Sequence, residues 1–325
     1  HIHYMWDEYG RCRWNLRRGV PVECCGTFEN FFQSSMGAPI RSEIWACLFL
    51  NDPDSAAHYA ALDASLDHGT EGIAGEVFFA VMQSLAGAGV SLDTAISRAL
   101  TYLPADCETR AAIECVLQAH RAGVGRWECW EVLRDRHGTE NFTHAPHNVA
   151  LTVWALVYGE GDFEDSILLA VNGGYDTDCT AATVGATLGL LKGAEGIPPR
   201  WSEPIGLGVH LGRGILGIRA PQTLTELTER TLRVTGKLSR QVWDAAFWSR
   251  SLPVVDLASL PGSIMMRPLN GAPPFPWANG ELPEGVKKAG GGEWTWECRG
   301  EPRQIVCLAR SGARLYLDGT LIHEC

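Results

Sequence analysis

The sequence predicts a mainly α-helical domain over residues 1–250, followed by a Pro/Gly-rich linker and a small β-rich module over 251–325. Three observations carry this. Apolar residues recur three and four apart through most of the first 240 or so residues, between recognisable helix starts and stops. The connections there are short and polar, and none alternates like a strand. Near Ser251 the composition changes to Pro and Gly, and then to short alternating runs.

The elements follow in order. "PIRSEIWACLF" reads as a helix behind the small-residue stretch "QSSMGA". "DPDSAAHYAALDASLDHG" has Asp52 as N-cap, Pro53 at the first helical position and Gly69 past the end. "EGIAGEVFFAVMQSLAGAG" places Ile73, Val77, Phe78, Val81 and Leu85 on one stripe, and "SLDTAISRALTYL" opens on a Ser cap. Further helices are read in "CETRAAIECVLQAHRAG", "RWECWEVLRDRHG", "PHNVALTVWALVYG", "DFEDSILLAVNG", "DCTAATVGATLGLLKG" and "TLTELTERTLRVTGK". In the tail, three alternating runs are separated by Arg299-Gly300, Ser311-Gly312 and the hairpin signal Asp318-Gly319. The chain opens on His1 and stops at Cys325 behind a strand-like run, so both ends are expected to be cut from something longer.

Composition excludes several functions. A net charge of −11 repels a nucleic-acid backbone, and any phosphorylated ligand needs a local device. No apolar run reaches transmembrane length and no signal peptide opens the chain. The 11 cysteines are scattered without a CxxC pair, which points to a reducing cytoplasm, and there the sequon at Asn141 is a chance match. No GxSxG, P-loop, HExxH or dinucleotide fingerprint is present.

The chemistry concentrates in "AVNGGYDTDCTAATVGATLGLL". Asp176 and Asp178 stand at a helix mouth with the hydroxyls of Thr177 and Thr180 beside them. Either carboxylate suits a helix cap, and together they suit a hard divalent cation such as Mg2+. One aspartate satisfies the cap and the second is then surplus, which favours the metal. Gly173-Gly174 lets the chain turn into the helix, whose Ala181, Ala182, Gly185, Ala186 and Gly189 would let a neighbouring helix approach closely.

"GYDTDCTAATVGATLGLLKGAEGIPPRW" resembles the C-terminal metal motif of the ADP-ribosylglycohydrolase family. The resemblance extends from about Gln33 to Trp201. It implies an orthogonal helical bundle that cleaves ADP-ribose from acceptors with a pair of Mg2+ ions, Mn2+ being an alternative. Carried over, Asp176 and Asp178 become metal ligands and catalytic residues. Cys179 stands where the family has Thr or Ser, and a thiol suits Mg2+ poorly. Tyr175 replaces the family's second glycine.

In the same way "QSSMGAPIR" resembles the loop that wraps the diphosphate, which makes Ser34, Ser35 and Gly37 candidate ligand contacts. Arg41 suits phosphate, or a pairing with Glu43 or another carboxylate. "DASLDHG" resembles the segment that brings His68 beside the ligand, with Asp63 as a buttress. Asn148 would face the cleft, or cap its helix. Glu76 among apolar residues needs a partner and is a candidate for acid or base work.

The family's N-terminal Thr-Asp-Asp-Thr motif is not found; the early pair Asp7-Glu8 lacks its hydroxyl neighbours. The missing half of the metal site is therefore expected upstream of His1. The resemblance implies Mg2+-dependent hydrolysis of an ADP-ribosyl or related ribosyl bond, with an ADP-ribose-like molecule or an ADP-ribosylated acceptor as partner. Two rivals are a non-catalytic protein on the same fold, as in relatives that serve as lens crystallins, and a glycosidase of another substrate class.

Overall fold

The structure is a computed structural model describing residues 7–255 apart from 213, 214 and 216, together with the backbones of short strands between 263 and 324. Its described residues are mainly helical. In chain order the helices are α1 (Asp7–Arg17), α2 (Glu43–Leu48), α3 (Pro53–Ala64), α4 (Thr70–Ala86), α5 (Leu92–Leu100) and α6 (Glu108–Arg121). They continue with α7 (Arg126–His137), α8 (Ala145–Tyr158), α9 (Phe163–Asn172), α10 (Thr177–Lys192), α11 (Pro199–Ser202) and α12 (Leu224–Val234).

Capping chemistry sets many of these starts. The Asp52 carboxylate accepts from Ser55 N at 3.3 Å and Ser55 Oγ at 2.9 Å, with Pro53 behind it. Ser91 Oγ accepts from Thr94 N to open α5, and Asp162 accepts from Asp165 N at 2.7 Å to open α9. Two boundaries differ from the sequence reading. Helix α3 ends at Ala64, and Gly69 is the N-cap of α4 rather than the stop of α3. Asp67 and His68 therefore lie in the turn between them. "PIRSEIWACLF" is broken into a 3-10 turn at Pro39–Arg41 and the short α2.

Helices α4 and α8 form the centre. Almost every residue of α4 from Gly72 to Ala86 is buried, as is α8 from Ala145 to Leu156. The apolar stripe read on α4 is thus a helix covered on all sides, which its Ala and Gly positions permit. Phe78, Phe79, Met82, Ile113, Leu133, Leu151 and Trp154 make one contiguous core with the flanking helices. At Gly75 an added Cβ would lie 2.6 Å from Pro39 Cγ, so a side chain there would push α4 away from the site loop.

Helix α10 packs on α4 and α9 with a polar seam. Gln83 Nε2 donates to Thr187 Oγ1 at 3.1 Å, and Thr183 Oγ1 donates to Glu43 at 3.4 Å. The expected close approach at Gly185 and Gly189 is not there: an added Cβ would find its nearest neighbour at 3.7 Å, an ordinary contact. After α12 the chain returns as a strap. Tyr59 Oη donates to Ser239 O at 3.0 Å, Gln241 N to Ser55 Oγ at 2.8 Å, and Trp248 Nε1 to Tyr102 O at 2.9 Å.

Beyond 255, paired strand backbones are described at Ser263–Pro268 with Arg303–Leu308 and Phe275–Pro276, at Val286–Ala289 with Glu293–Trp296, and at Arg314–Leu317 with Thr320–Glu324. The first two strands fall in a stretch read as irregular. The separators Arg299-Gly300, Ser311-Gly312 and Asp318-Gly319 lie outside the described residues.

Replacing Asp52 with Ala removes the α3 cap and the Ser55 hydroxyl contact. The expected loss is about 1 kcal/mol of unfolding free energy, read as a lower urea midpoint at unchanged slope.

Candidate metal and ligand site

The site forms where the α9–α10 turn meets α8 and the loop before it. Gly174 has φ +74° and Tyr175 φ +62°, two left-handed residues in succession that swing Asp176 to the mouth of α10. Glycine adopts this freely; tyrosine does so at a cost of about 1 kcal/mol or more. The Tyr175 ring compensates by lying against His147, with centroids 4.1 Å apart.

Asp176 sits at the N-cap position, yet its side chain makes no capping hydrogen bond. The cap reading therefore does not account for it. It is buried, whereas Asp178 is exposed and Cys179 intermediate. Ligand atoms of Asp176, Asp178 and Cys179 all lie within 4.8 Å of one another, the one such group among the described residues. Burial, with the neighbouring Asp178 adding to it, pushes the Asp176 carboxyl up to about 6 against relief from the Cys179 contact. The Cys179 thiol is pushed up by burial and then by the Asp176 and Asp178 charges, so it stays protonated. Two carboxylates then suit a hard cation, while the protonated thiol does not complete the set.

Asn148 is wholly buried and its amide is used up by backbone. Its Oδ1 accepts from Asp176 N at 3.1 Å, and its Nδ2 donates to Phe142 O at 2.8 Å and His144 O at 2.9 Å. It ties the α10 mouth to the loop before α8 and does not face a cleft. That loop is joined to the other one: Ser35 and His144 form an antiparallel bridge, Ala145 N donates to Ser34 O at 2.7 Å, and Thr143 Oγ1 donates to Ser35 Oγ at 3.1 Å.

The stretch 34–37 is therefore mostly committed. Ser34 is half-buried, while Ser35, Met36 and Gly37 are buried. A Cβ at Gly37 would collide with the Glu8 carboxyl of α1, so the glycine makes room for an acid rather than opening onto an anion. The α2 start, being one short turn behind a 3-10 segment, offers no long-helix dipole here.

His68 is also committed. Its Nδ1 lies 2.6 Å from Asp67 Oδ1 and its Nε2 accepts from Ala38 N at 3.2 Å, which fixes the proton on Nδ1. It is buried and holds the 36–38 loop in place, with both ring nitrogens already engaged. Arg41 donates to Asp67 through both Nη atoms at 3.0 and 2.7 Å and through Nε to Asp63 at 2.9 Å, the carboxylate pairing of the sequence reading. Burial would raise Asp67, but hydrogen bonds from His68 and Arg41 outweigh it and hold the carboxyl below its ordinary range. Asp63 buttresses Arg41 and accepts from Trp45 Nε1 at 3.3 Å.

Glu8, set aside in the sequence for want of hydroxyl neighbours, is brought to the site by the fold. It is buried, and it lies within electrostatic reach of both His68 and Cys179. Burial raises its carboxyl, with the His68 imidazole opposing. A signal was present: Glu8, Arg11, Asn15 and Arg18 recur at helical spacing, and all four are buried.

A sequence profile of the ADP-ribosylglycohydrolase family matches residues 5–241, well over half of the chain. The chain belongs to the ADP-ribosylglycohydrolase family. An ADP-ribosylarginine hydrolase, Tri1 of Pseudomonas putida (strain GB-1), is 40% identical over 72 residues. That match spans 22% of this chain and 19% of the relative, so the chain is aligned to about a fifth of that relative's length. No helix among the described residues is long and apolar enough to cross a membrane.

Two outcomes follow from these contacts. Asn148→Leu leaves the Asp176 N–H and the Phe142 carbonyl without this partner, while His144 O still accepts from Asn148 N. It should cost about 3 kcal/mol, measured by chemical denaturation. Glu76 is fully buried, its nearest cation Arg41 Nε at 3.6 Å, and burial pushes its carboxyl well above 4.5 with Arg41 opposing. Since the folded value is raised, the penalty is absent below pH 4.5 and grows as pH rises and the unfolded chain ionises. Glu76→Gln should therefore raise Tm at pH 7.5, by about 2–4 °C per kcal/mol recovered. The gain should vanish in thermal melts below pH 4.5.

Proposed function

We propose that the protein hydrolyses the glycosidic bond of an ADP-ribosyl group, with a divalent cation held by Asp176 and Asp178. The observation that carries this is the placement of the two carboxylates at the α10 mouth, one of them buried and released from capping. Family membership and the arginine-linked substrate in the relative's name support the substrate class. Mg2+ fits two oxygen donors that leave further positions to water, and Mn2+ is the alternative.

The bound cation would supply charge stabilisation and orient a water. The chain's own residues do the positioning. Asn148 fixes the Asp176 backbone, and Asp67, through His68 and Arg41, fixes the loop opposite. ADP-ribose would lie along the rim between Ser34 and the α10 mouth. In hydrolysis the water oxygen bonds to the anomeric carbon as the bond to the acceptor breaks, and the acceptor takes up a proton. Residues 251–325 are proposed to form a β module, and the eight described cysteines, all free thiols, support a cytoplasmic setting.

One observation favours a second reading, a non-catalytic protein on this fold. The described cluster holds only two carboxylates and a protonated thiol, half of a two-ion clamp. Release of ADP-ribose from an ADP-ribosylated arginine peptide, with Mg2+ and with EDTA, separates the two. Mg2+-dependent release supports the hydrolase, and no release with intact Mg2+ binding supports the second reading. Asp178→Asn removes a charged ligand at an exposed position and should weaken Mg2+ at least about tenfold by calorimetry, with Tm little changed. Unchanged affinity would remove the metal assignment.

A further inference from the structure

We propose that Cys179 is itself a cation ligand, and that the α10 mouth takes a thiophilic divalent ion of the zinc class through Asp176, Asp178 and Cys179. The inference rests on the assignment of Asp176 and Asp178 as cation ligands and departs from it in the identity of the ion. One carboxylate oxygen from each aspartate and the Cys179 Sγ all lie within 4.8 Å of one another. Around a tetrahedral zinc ion, with oxygen and sulfur ligands a little over 2 Å from the metal, ligand atoms stand about 3.5 Å apart. Closing the set takes a movement of roughly an ångström. Asp178, the exposed member, has solvent on one side to swing through.

A second observation points to a ligand. Asp176 is only 7% exposed, its side chain makes no capping bond, and the groups that act on its carboxylate are Asp178 and Cys179, the other members of the set. A buried carboxylate with neither a cap nor a cation is costly, and an ion held on the same face would answer it. Glu8, also buried, adds its charge at Cys179 from α1.

The donor count decides between ions. Mg2+ asks for an octahedron of oxygens, and the described cluster offers two. Two carboxylates, one sulfur and an open position for water are instead the count of a three-ligand zinc centre. The donors that fall short of a two-ion magnesium clamp thus suffice for one zinc. Sulfur sharpens the choice, because thiolate selects zinc and similar ions over Mg2+. Cys179 is the third residue of α10, where the unsatisfied N–H groups of a helix start favour a thiolate. On binding, the Sγ–H bond gives way to a bond from Sγ to the metal and the proton leaves to solvent, with no change of oxidation state. The competing account is that Cys179 merely fills the place of a hydroxyl, its thiol directed at Asp176. The two accounts predict opposite behaviour for serine at this position.

The test titrates zinc and Mg2+ separately into the chelator-treated full chain by calorimetry. Cys179→Ser replaces sulfur with oxygen at nearly the same size. It should weaken zinc at least about tenfold while holding Mg2+ as well as the parent or better. Cys179→Ala, a second variant at the same half-buried position, should lose zinc equally without the gain in Mg2+. Metal-free thermal melts check that each variant folds. With Co2+ in place of zinc, the parent should show a sulfur-to-metal charge-transfer band in the near ultraviolet, absent in Cys179→Ser. If both variants bind zinc as the parent does, or the parent binds Mg2+ but shows no such band, the thiol is not a ligand and this inference alone falls. If the parent binds neither zinc nor Mg2+, the assignment of Asp176 and Asp178 falls with it. None of these readouts depends on hydrolysis.

Discussion

Asp67 is the group on which the ligand side of the structure depends. Its carboxylate accepts hydrogen bonds from the His68 Nδ1–H and from both Nη groups of Arg41. Each partner then holds the same loop: His68 through Ala38 N, and Arg41 through Gly37 O at 3.4 Å. A charge in a turn between two buried helices would be expensive alone. Three charge-assisted bonds stabilise it and pass its fixed position to residues 36–38. Tyr9 Oη adds a bond to Gly37 O at 3.3 Å, so α1 is attached to the same few atoms.

The opposite wall is built on a different principle. Asn148 uses a neutral amide to bond three backbone groups, the Asp176 N–H and the Phe142 and His144 carbonyls, the last of which also accepts the first helical N–H of α8. Neutral bonds of this kind are modest in net free energy, and costly mainly when one partner is removed. One wall is held by ion pairs and the other by backbone satisfaction. Asp176, Asp178 and Glu8 form no ion pair with a Lys or Arg among the described residues.

The helical fold was legible because its signals are local: Asp52 with Pro53, Ser91 and Asp162 each announce a start within four residues. The Asp176–Asp178 pair was legible for the same reason. What failed was the assignment of partners across the chain. His68 and Asn148 carry side chains that suit a ligand equally well, and only the fold shows their atoms already taken by Ala38 and by the 142–144 backbone. Glu8 was set aside because its neighbours are about 30 to 170 residues away along the chain, at Gly37, His68 and Cys179. Gly185 and Gly189 suggested a tight helix crossing from composition alone, and the contact they would serve is an ordinary one.

The strap after α12 has a consequence for the integrity of the molecule. Residues 239–253 are fastened to Ser55, Tyr59, Tyr102 and Cys24, all far earlier in the chain. Ile205 and Leu207, by contrast, are strongly exposed. A protease that cuts near those two residues would sever the polypeptide without separating its parts. The later fragment would stay clasped by tryptophans and main-chain bonds. A nicked molecule would then elute at its original size and come apart only in denaturant.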